Sequence, residues 1–460
     1  MMKNSKMKNS NDLSRRDFLR AGAISAAAFS AIPAIADTAD ADTPAVLGGP
    51  AARTIGAPGW PQWSSDFNEE MANVMSRCVW SRSERVSEFE RQWAEMNGAK
   101  HCLAVVNGTN ALSASFMELD INPGDEVICS PYTFSASVFG ILYKGAMPVW
   151  ADIDPETSQV DVEKLRAKIT PRTKAIMVVH ICGNPADMTA IMEIAREHNL
   201  FVVEDACQAH LATINGKKVG TFGNAGCFSF QTSKCIPVGE GGGILTDDPD
   251  FYDRLFSYHN YGYATTISPG TWGSIHAFRL ANKIRMAEYQ AMIGLCQLRS
   301  AEENHIKRNE NGNYLRELLA DLQGVHAARY CPGVDSVSHY LFPMIYEAGN
   351  DVLKGMTRDQ FINALVAEGV PASVGYPNDP LYGQKLIETT FESPIYKKFY
   401  GDIDFEAYKE ENNCPALAKT CDTSIWISGN GFFLADKRVM DQVYLAFKKV
   451  LTHAEEIAKA

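Results

Sequence analysis

Short apolar runs alternate with amphipathic stretches through the first half of the chain. The runs at 102–106, 126–129, 147–151, 174–180 and 200–204 are four to seven residues long and apolar at successive positions. That pattern predicts strands buried on both faces. The stretches between them, at 109–119, 134–143, 161–168 and 187–198, space their apolar residues three and four apart and predict helices. Two further strand-like runs follow, Cys227 to Phe230 and Gly243 to Thr246. Strand and helix in regular alternation predict an α/β fold, a mostly parallel sheet covered by helices. A long helical pattern then runs from Arg285 to Leu319. The glycine- and proline-punctuated remainder predicts a smaller C-terminal α+β domain closing with a helix over 436–457. The expected division is a large domain over 46–310 and a small one over 311–460, without internal repeats or a coiled coil.

Composition adds size and charge. With 460 residues, 46% of them apolar, the chain can build more than one core. Its 43 basic and 55 acidic residues give a net charge of −12, which argues against nucleic acid as a partner. Residues 1–36 hold six Lys/Arg and two Asp, so the remainder carries −16. An anionic ligand must therefore be held by local donors. Within that leader, Ser14-Arg15-Arg16-Asp17-Phe18-Leu19 is a twin-arginine export pattern, followed by a mild apolar stretch from Ala21 to Ala36. Ala34-Ile35-Ala36 offers a small-residue cleavage site. The stretch is too short and too weakly apolar to span a bilayer. The expectation is a signal peptide over 1–36, an acidic linker over 37–45 and a periplasmic or other extracytoplasmic enzyme. The alternative is a basic tail on a cytoplasmic one. Eleven cysteines without C-x-x-C pairs read as free thiols, not as a zinc site or a disulfide framework. Cys414 and Cys421 are the nearest pair, and export raises the prospect that they join.

The candidate chemistry lies between Phe201 and Thr246. Asp205 ends an apolar run, where open α/β sheets place their ligands. Lys234 sits between two strand-like runs and precedes the glycine cluster 239–243. A lysine that forms a Schiff base and an aspartate that pairs with a pyridinium nitrogen are what pyridoxal 5′-phosphate requires. Opposite charges about 4 Å apart attract by roughly 4 kcal/mol at an effective dielectric of 20, or about three pKa units. Asp205 could thus keep the ring protonated at neutral pH. Gln208, one helical turn later, would reach the ring hydroxyl or its aldehyde-derived side. Gly108, Thr109 and Asn110 follow the first strand and open a helix, so their backbone donors suit a phosphate. Ser229, five residues before Lys234, could add a hydroxyl. Each residue also has a plain structural reading: surface lysine, strand-end cap, polar helix face, N-cap.

In order, the chain contains V-N-G-T-N-A-L (106–112), P-G-D-E-V-I (123–128), S-P-Y-T-F (130–134), T-P-R-T-K-A-I (170–176), V-H-I-C-G-N-P-A-D-M (179–188), S-F-Q-T-S-K and G-E-G-G. From about Leu47 to the C-terminus it resembles the DegT/DnrJ/EryC1/StrS family of sugar and cyclitol aminotransferases, most of all the branch acting on keto-inositols. The resemblance implies an aspartate-aminotransferase-like (PLP fold type I) large domain and a glutamate or glutamine amino donor. It implies a keto-sugar or keto-cyclitol acceptor and Lys234 as the catalytic lysine. Phe134 would stack on the cofactor ring. Asn282-Lys283-Ile284-Arg285-Met286 resembles the family's N-Y-R-M element, which reaches the phosphate of a neighbouring subunit and so implies a homodimer with shared sites. Here Asn282 and Arg285 stand one residue farther apart than in that element. Family dehydratases carry histidine in place of the lysine, so Lys234 points to transamination. Another PLP enzyme, such as a racemase or lyase, and a non-catalytic PLP-bound sensor remain alternatives. His180, His259 and Tyr376 are further candidates for contacts to substrate.

Overall fold

In a computed structural model, described here over residues 41–263, 277–376 and 379–460, fourteen strands form three sheets. The leader over 1–36 and residues 37–40 of the linker over 37–45 lie outside the described residues. The strands of the large domain are β1 (His101–Val105), β2 (Glu126–Cys129), β3 (Met147–Trp150), β4 (Thr173–Val179) and β5 (Phe201–Asp205). They continue with a short hairpin, β6 (Thr213–Ile214) and β7 (Lys217–Lys218), then β8 (Ala225–Ser229) and β9 (Gly242–Thr246). The main sheet runs β1-β9-β8-β5-β4-β2-β3. Strands β3, β2, β4, β5 and β8 pair in parallel, while β9 is antiparallel to both β8 and β1. All strands but β9 therefore end at one edge, and β9 begins there.

Two helical layers explain why these strands are apolar at every position. Ala175, Met177, Val179 and Val203 pack into one core, and Ile176, Val178 and Val202 into the other. Alternation along a strand sends successive residues to opposite faces, so both sets must be hydrophobic.

Beyond the large sheet come β10 (Val325–Ala327), β11 (Val334–Ser336), β12 (Leu341–Tyr346), β13 (Ala372–Val374) and β14 (Ser424–Ser428). Strands β10-β12-β14-β13 form an antiparallel sheet with its own core, packed by helices Ala301–Leu319, Arg358–Ala367 and Arg438–Thr452. Strand β11 joins the β6–β7 hairpin in a third sheet.

Three elements differ from their sequence pattern. The helical pattern over 285–319 divides into Glu288–Leu298 and Ala301–Leu319, and residues 282–287 are extended. Tertiary bonds decide this: Val106 N donates to the Ile284 carbonyl at 2.9 Å and Arg285 bridges Val105. The buried Glu288 carboxylate meanwhile accepts from the Ser83, Arg85 and Val86 amides at 2.6, 3.0 and 3.1 Å, capping the neighbouring helix Glu84–Asn97. The closing helix over 436–457 is Arg438–Thr452 followed by Ala454–Lys459, interrupted at His453. Residues 206–212 form turns, not a helix, with Leu211 at φ 63°.

The segment 385–423 supplies four short helices that return to the large sheet. Tyr396 Oη donates to the Ala146 carbonyl (2.6 Å) and Tyr408 Oη to that of Pro148 (3.0 Å), while Trp150 Nε1 donates to Tyr408 Oη (2.6 Å). Edge strand β3 is thereby covered, which removes an exposed pairing edge. Cys414 and Cys421 sit here about two turns apart on one helix, and all eleven cysteines are free.

Candidate active site

The carboxyl edge of the main sheet gathers most of the candidate residues. Asp205 ends β5 and is only 8% exposed. Its Oδ2 accepts from Ser137 Oγ at 2.7 Å and its Oδ1 from the Cys207 amide at 3.1 Å. Ser137 is in turn 2.7 Å from Thr133 Oγ1. The carboxylate is thus aimed by a chain of hydroxyls from the loop after β2. Its neighbour Glu204, fully buried on the opposite face, accepts from the Gly220, Phe222 and Gly223 amides at 2.6–2.7 Å. It also meets His180 Nε2 at 3.2 Å. His180 Nδ1 accepts from the Ala186 amide (3.1 Å), so Nε2 carries the proton and donates to Glu204. His180 is a brace for β5, with no exposed surface for substrate.

Lys234 lies in the loop between β8 and β9. That loop is drawn closed by three backbone bonds of 2.8 Å, Phe230 to Gly241, Thr232 to Gly239 and Val238 to Phe230. The Lys234 ammonium stands 4.1 Å from the centroid of the Tyr340 ring, whose hydroxyl is 3.2 Å from Ser233 Oγ. Trp60 Nε1 donates to the Lys234 carbonyl at 3.1 Å. Lys234 thus follows β8, the parallel neighbour of β5, at the edge where Asp205 ends its strand. Burial, with Lys234 second, pushes His210 down to about 3.

The third part is a cradle of close backbones. A Cβ on Gly108 would stand 2.8 Å from Ser229 Cβ and 2.9 Å from Cys207 Sγ, and one on Gly242 only 2.4 Å from the Asn107 carbonyl. Only glycine permits these approaches. Helix Gly108–Glu118 begins here with Asn107 as its cap: Asn107 Oδ1 accepts from both the backbone and side-chain nitrogens of Asn110, each at 2.9 Å. Asn110 is therefore committed to the cap. The Gly108 and Thr109 amides donate to nothing among the described residues and stand at the positive end of the helix dipole. Ser229 Oγ accepts from the Gln231 amide at 3.3 Å beside them.

Other candidates are placed differently. Phe134 is 61% exposed beside Thr133, with no ring partner among the described residues. Gln208 stands in a turn, and its Oε1 accepts from the Cys182 amide at 2.7 Å. Asn282 is exposed and bonded to Tyr258, its amide donating to the Tyr258 carbonyl at 2.9 Å. No hydrogen bond among the described residues joins it to Lys234 or Asp205. His259 is fully buried, its ring against the Phe256 carbonyl, and burial pushes it down to about 3. Of the three further candidates only Tyr376 stands at the site. Sequence reading missed Ser137, Glu204, Tyr340 and Trp60; the adjacent Glu-Asp pair at the end of β5 was the one available signal.

A buried, oriented carboxylate, a lysine held against an aromatic ring and a glycine cradle with free amides fit pyridoxal phosphate. Together with the sheet order they define a pyridoxal-phosphate enzyme of fold type I. The profile of the DegT/DnrJ/EryC1/StrS aminotransferase family matches residues 61–398. An L-glutamine:2-deoxy-scyllo-inosose aminotransferase of Streptomyces lividus is 30% identical over 91% of this chain and 99% of its own length. A GDP-perosamine synthase of Caulobacter vibrioides is 40% identical over 62% of this chain and 74% of its own. The crystal structure of 3-amino-5-hydroxybenzoic acid synthase superposes with a TM-score of 0.74 at 27% identity, covering 86% of this chain and 99% of that one. The chain belongs to the DegT/DnrJ/EryC1/StrS family and is a pyridoxal-phosphate-dependent aminotransferase.

Proposed function

We propose that this enzyme moves an amino group from glutamate or glutamine to a ketone on a sugar or cyclitol, leaving the donor as its 2-oxo acid. The observations that carry the reading are Lys234, held against Tyr340 in the loop after β8, and a buried, hydroxyl-aimed Asp205 at the end of the neighbouring parallel strand β5. When bound, pyridoxal phosphate supplies an electron sink for the carbon that loses its proton. Lys234 would hold the cofactor's aldehyde carbon and, once released, carry the proton between substrate and cofactor. Asp205, fixed by Ser137 and the Cys207 amide, would hold the proton on the pyridine nitrogen. Gly108, Thr109 and Ser229 would receive the phosphate, and Phe134 would cover the ring face. The reaction balances as a double exchange: the donor's C–N bond breaks and a water oxygen becomes its new carbonyl, the acceptor's C–N bond forms and its carbonyl oxygen leaves as water, and the two electrons lost at the donor carbon are gained at the acceptor carbon.

The reading includes a homodimer. Asn282 is exposed, with Phe278 70% and Leu280 96% exposed just before it in the chain. Such an apolar edge suits a second copy. It also includes export through the twin-arginine route, with the mature chain starting near Asp37.

Absorbance tests the chemistry. Protein loaded with pyridoxal phosphate should show a visible band that glutamate or glutamine discharges and a keto-cyclitol or keto-sugar restores. Lys234→Ala should lack the band. A band that neither donor discharges would refute the reading.

A further inference from the structure

We propose that Trp60 is a positioning residue for the cofactor lysine: held between Arg308 and the Lys234 carbonyl, it keeps the Lys234 loop ordered before pyridoxal phosphate arrives. The inference rests on the reading of Lys234 as the lysine that links to the cofactor. Lys234 stands at a turn, its amide donating to the Gln231 carbonyl at 2.8 Å. Among the described residues no backbone amide donates to the Lys234 carbonyl, and Trp60 Nε1 at 3.1 Å takes that place. On the side-chain flank the Lys234 ammonium lies over the Tyr340 ring, and Ser233 Oγ meets the Tyr340 hydroxyl at 3.2 Å. One aromatic residue thus grips the lysine at its backbone and another at its side chain.

A buried charge fixes Trp60. Arg308, on helix Ala301–Leu319, is only 2% exposed. Its Nε donates to the Asn430 carbonyl at 3.1 Å, while Nη2 has no hydrogen-bond partner among the described residues. The guanidinium carbon instead stands 4.9 Å from the centroid of the Trp60 ring. A desolvated guanidinium is attracted strongly by the face of an indole. Arg308 takes the face of the ring and Lys234 its N–H edge, so one placement of the indole satisfies both.

Trp60 reaches this place on a strap tied down before and after it. The Ala45 and Ala52 amides donate to the buried Glu368 carboxylate at 2.6 Å each, and the Thr54 and Ile55 amides to Gln442 Oε1 at 3.1 Å each. The strap then passes Gly431 so closely that a Cβ there would stand 2.4 Å from the Pro58 carbonyl oxygen. Beyond Trp60, Gln297 Nε2 donates to the Gln62 carbonyl at 2.8 Å and ties the strap to helix Glu288–Leu298. The indole donor is therefore in place without further ordering. A loop ordered in advance loses less conformational freedom when its lysine is captured, so the covalent link forms more favourably.

The test compares two forms of the cofactor on full-length protein stripped of it. Pyridoxal phosphate can link to Lys234, whereas pyridoxamine phosphate carries an amine in place of the aldehyde and cannot. Trp60→Phe keeps a ring over Arg308 and removes the N–H donor. It should weaken pyridoxal phosphate about threefold to tenfold, the loss of one neutral hydrogen bond, and leave pyridoxamine phosphate within about twofold of wild type. Amides over 231–239 should also exchange hydrogen faster in the cofactor-free variant. Arg308→Met releases the indole from its other side and should show the same split. It removes a buried cation without a carboxylate, a change the fold tolerates, and so decides the matter if Trp60→Phe misfolds. Equal weakening of both cofactors would make Trp60 a general support of the site, and no weakening of either would leave it without a role; each overturns the proposal. Lys234→Ala separates this from the underlying reading. If that variant keeps the visible band, the assignment of Lys234 fails; if it loses the band while Trp60→Phe shows no split, this inference alone falls.

Discussion

Adjacent carboxylates at 204 and 205 point to opposite faces of β5, and their partners divide their roles. Glu204 is saturated by three backbone amides and His180, so it braces the strand. Asp205 has two donors and one side facing the site. Asp205→Asn removes an ion pair worth about 4 kcal/mol in the bound enzyme, so turnover should fall roughly 10³-fold. Ser137→Ala removes one hydrogen bond to a charged group and should cost about 10- to 100-fold. Both are read as kcat/KM for a donor, alongside thermal melting to show an intact fold. Equal losses for the two would mean that Ser137 does more than orient. At this scale Lys234, Asp205 and Gly108 could be picked out as candidates because each stands at a strand end or in a loop between strands. Ser137 was not, since nothing in sequence joins a helix serine to an aspartate 68 residues away.

Elements were legible where period and length agreed. Strands β2 and β5 lie within a residue of their apolar runs, and helix Met188–His198 fills its amphipathic stretch. Boundaries moved where tertiary bonds outbid propensity, as at 282–287, where pairing with Val105 and Val106 holds the chain extended. The return of 385–423 onto β3 was illegible, because its anchors are long-range. Asp152 is the clearest of these. Its buried carboxylate accepts from the Ala416 and Leu417 amides at 2.9 and 3.0 Å and caps helix Pro415–Thr423 from 264 residues away. Asp152→Ala should cost about 1–2 kcal/mol in urea unfolding, as loss of an N-cap does. It should also raise protease sensitivity within 385–423 before the rest of the chain. Cleavage spread evenly along the chain would show that the cover is not a separate unit.

For the whole molecule, buried neutral histidines set the response to acid. Burial pushes His210, His259 and His339 down to about 3, against about 6.5 in the unfolded chain. Between those values the unfolded state binds more protons, so stability rises with pH and is lost as pH falls below 6.5. At pH 5 each histidine should have cost about 2 kcal/mol. Denaturant midpoints at pH 7 and pH 5 check this, and His259→Gln should flatten the difference if it folds. A midpoint unchanged between the two would refute the burial of these rings. The dimer is tested at the same scale by light scattering, with a mass near twice that of the chain expected.

The sequence by itself determined the α/β alternation, the candidate lysine between two strands and the acidic pair ending another, and the charge that leaves phosphate binding to local donors. These follow from period, spacing and residue chemistry, which are local properties. Only the tertiary structure decided which carboxylate faces the site, how Asp205 is aimed, and that Asn110 and Gln208 spend polar atoms on other protein groups. It also decided that a C-terminal segment covers β3 and that Tyr376 packs edge-on against Trp426. Each of these is a hydrogen bond or a packed ring between residues far apart in the chain, and such pairings exist only once the sheet order has brought the strand ends together.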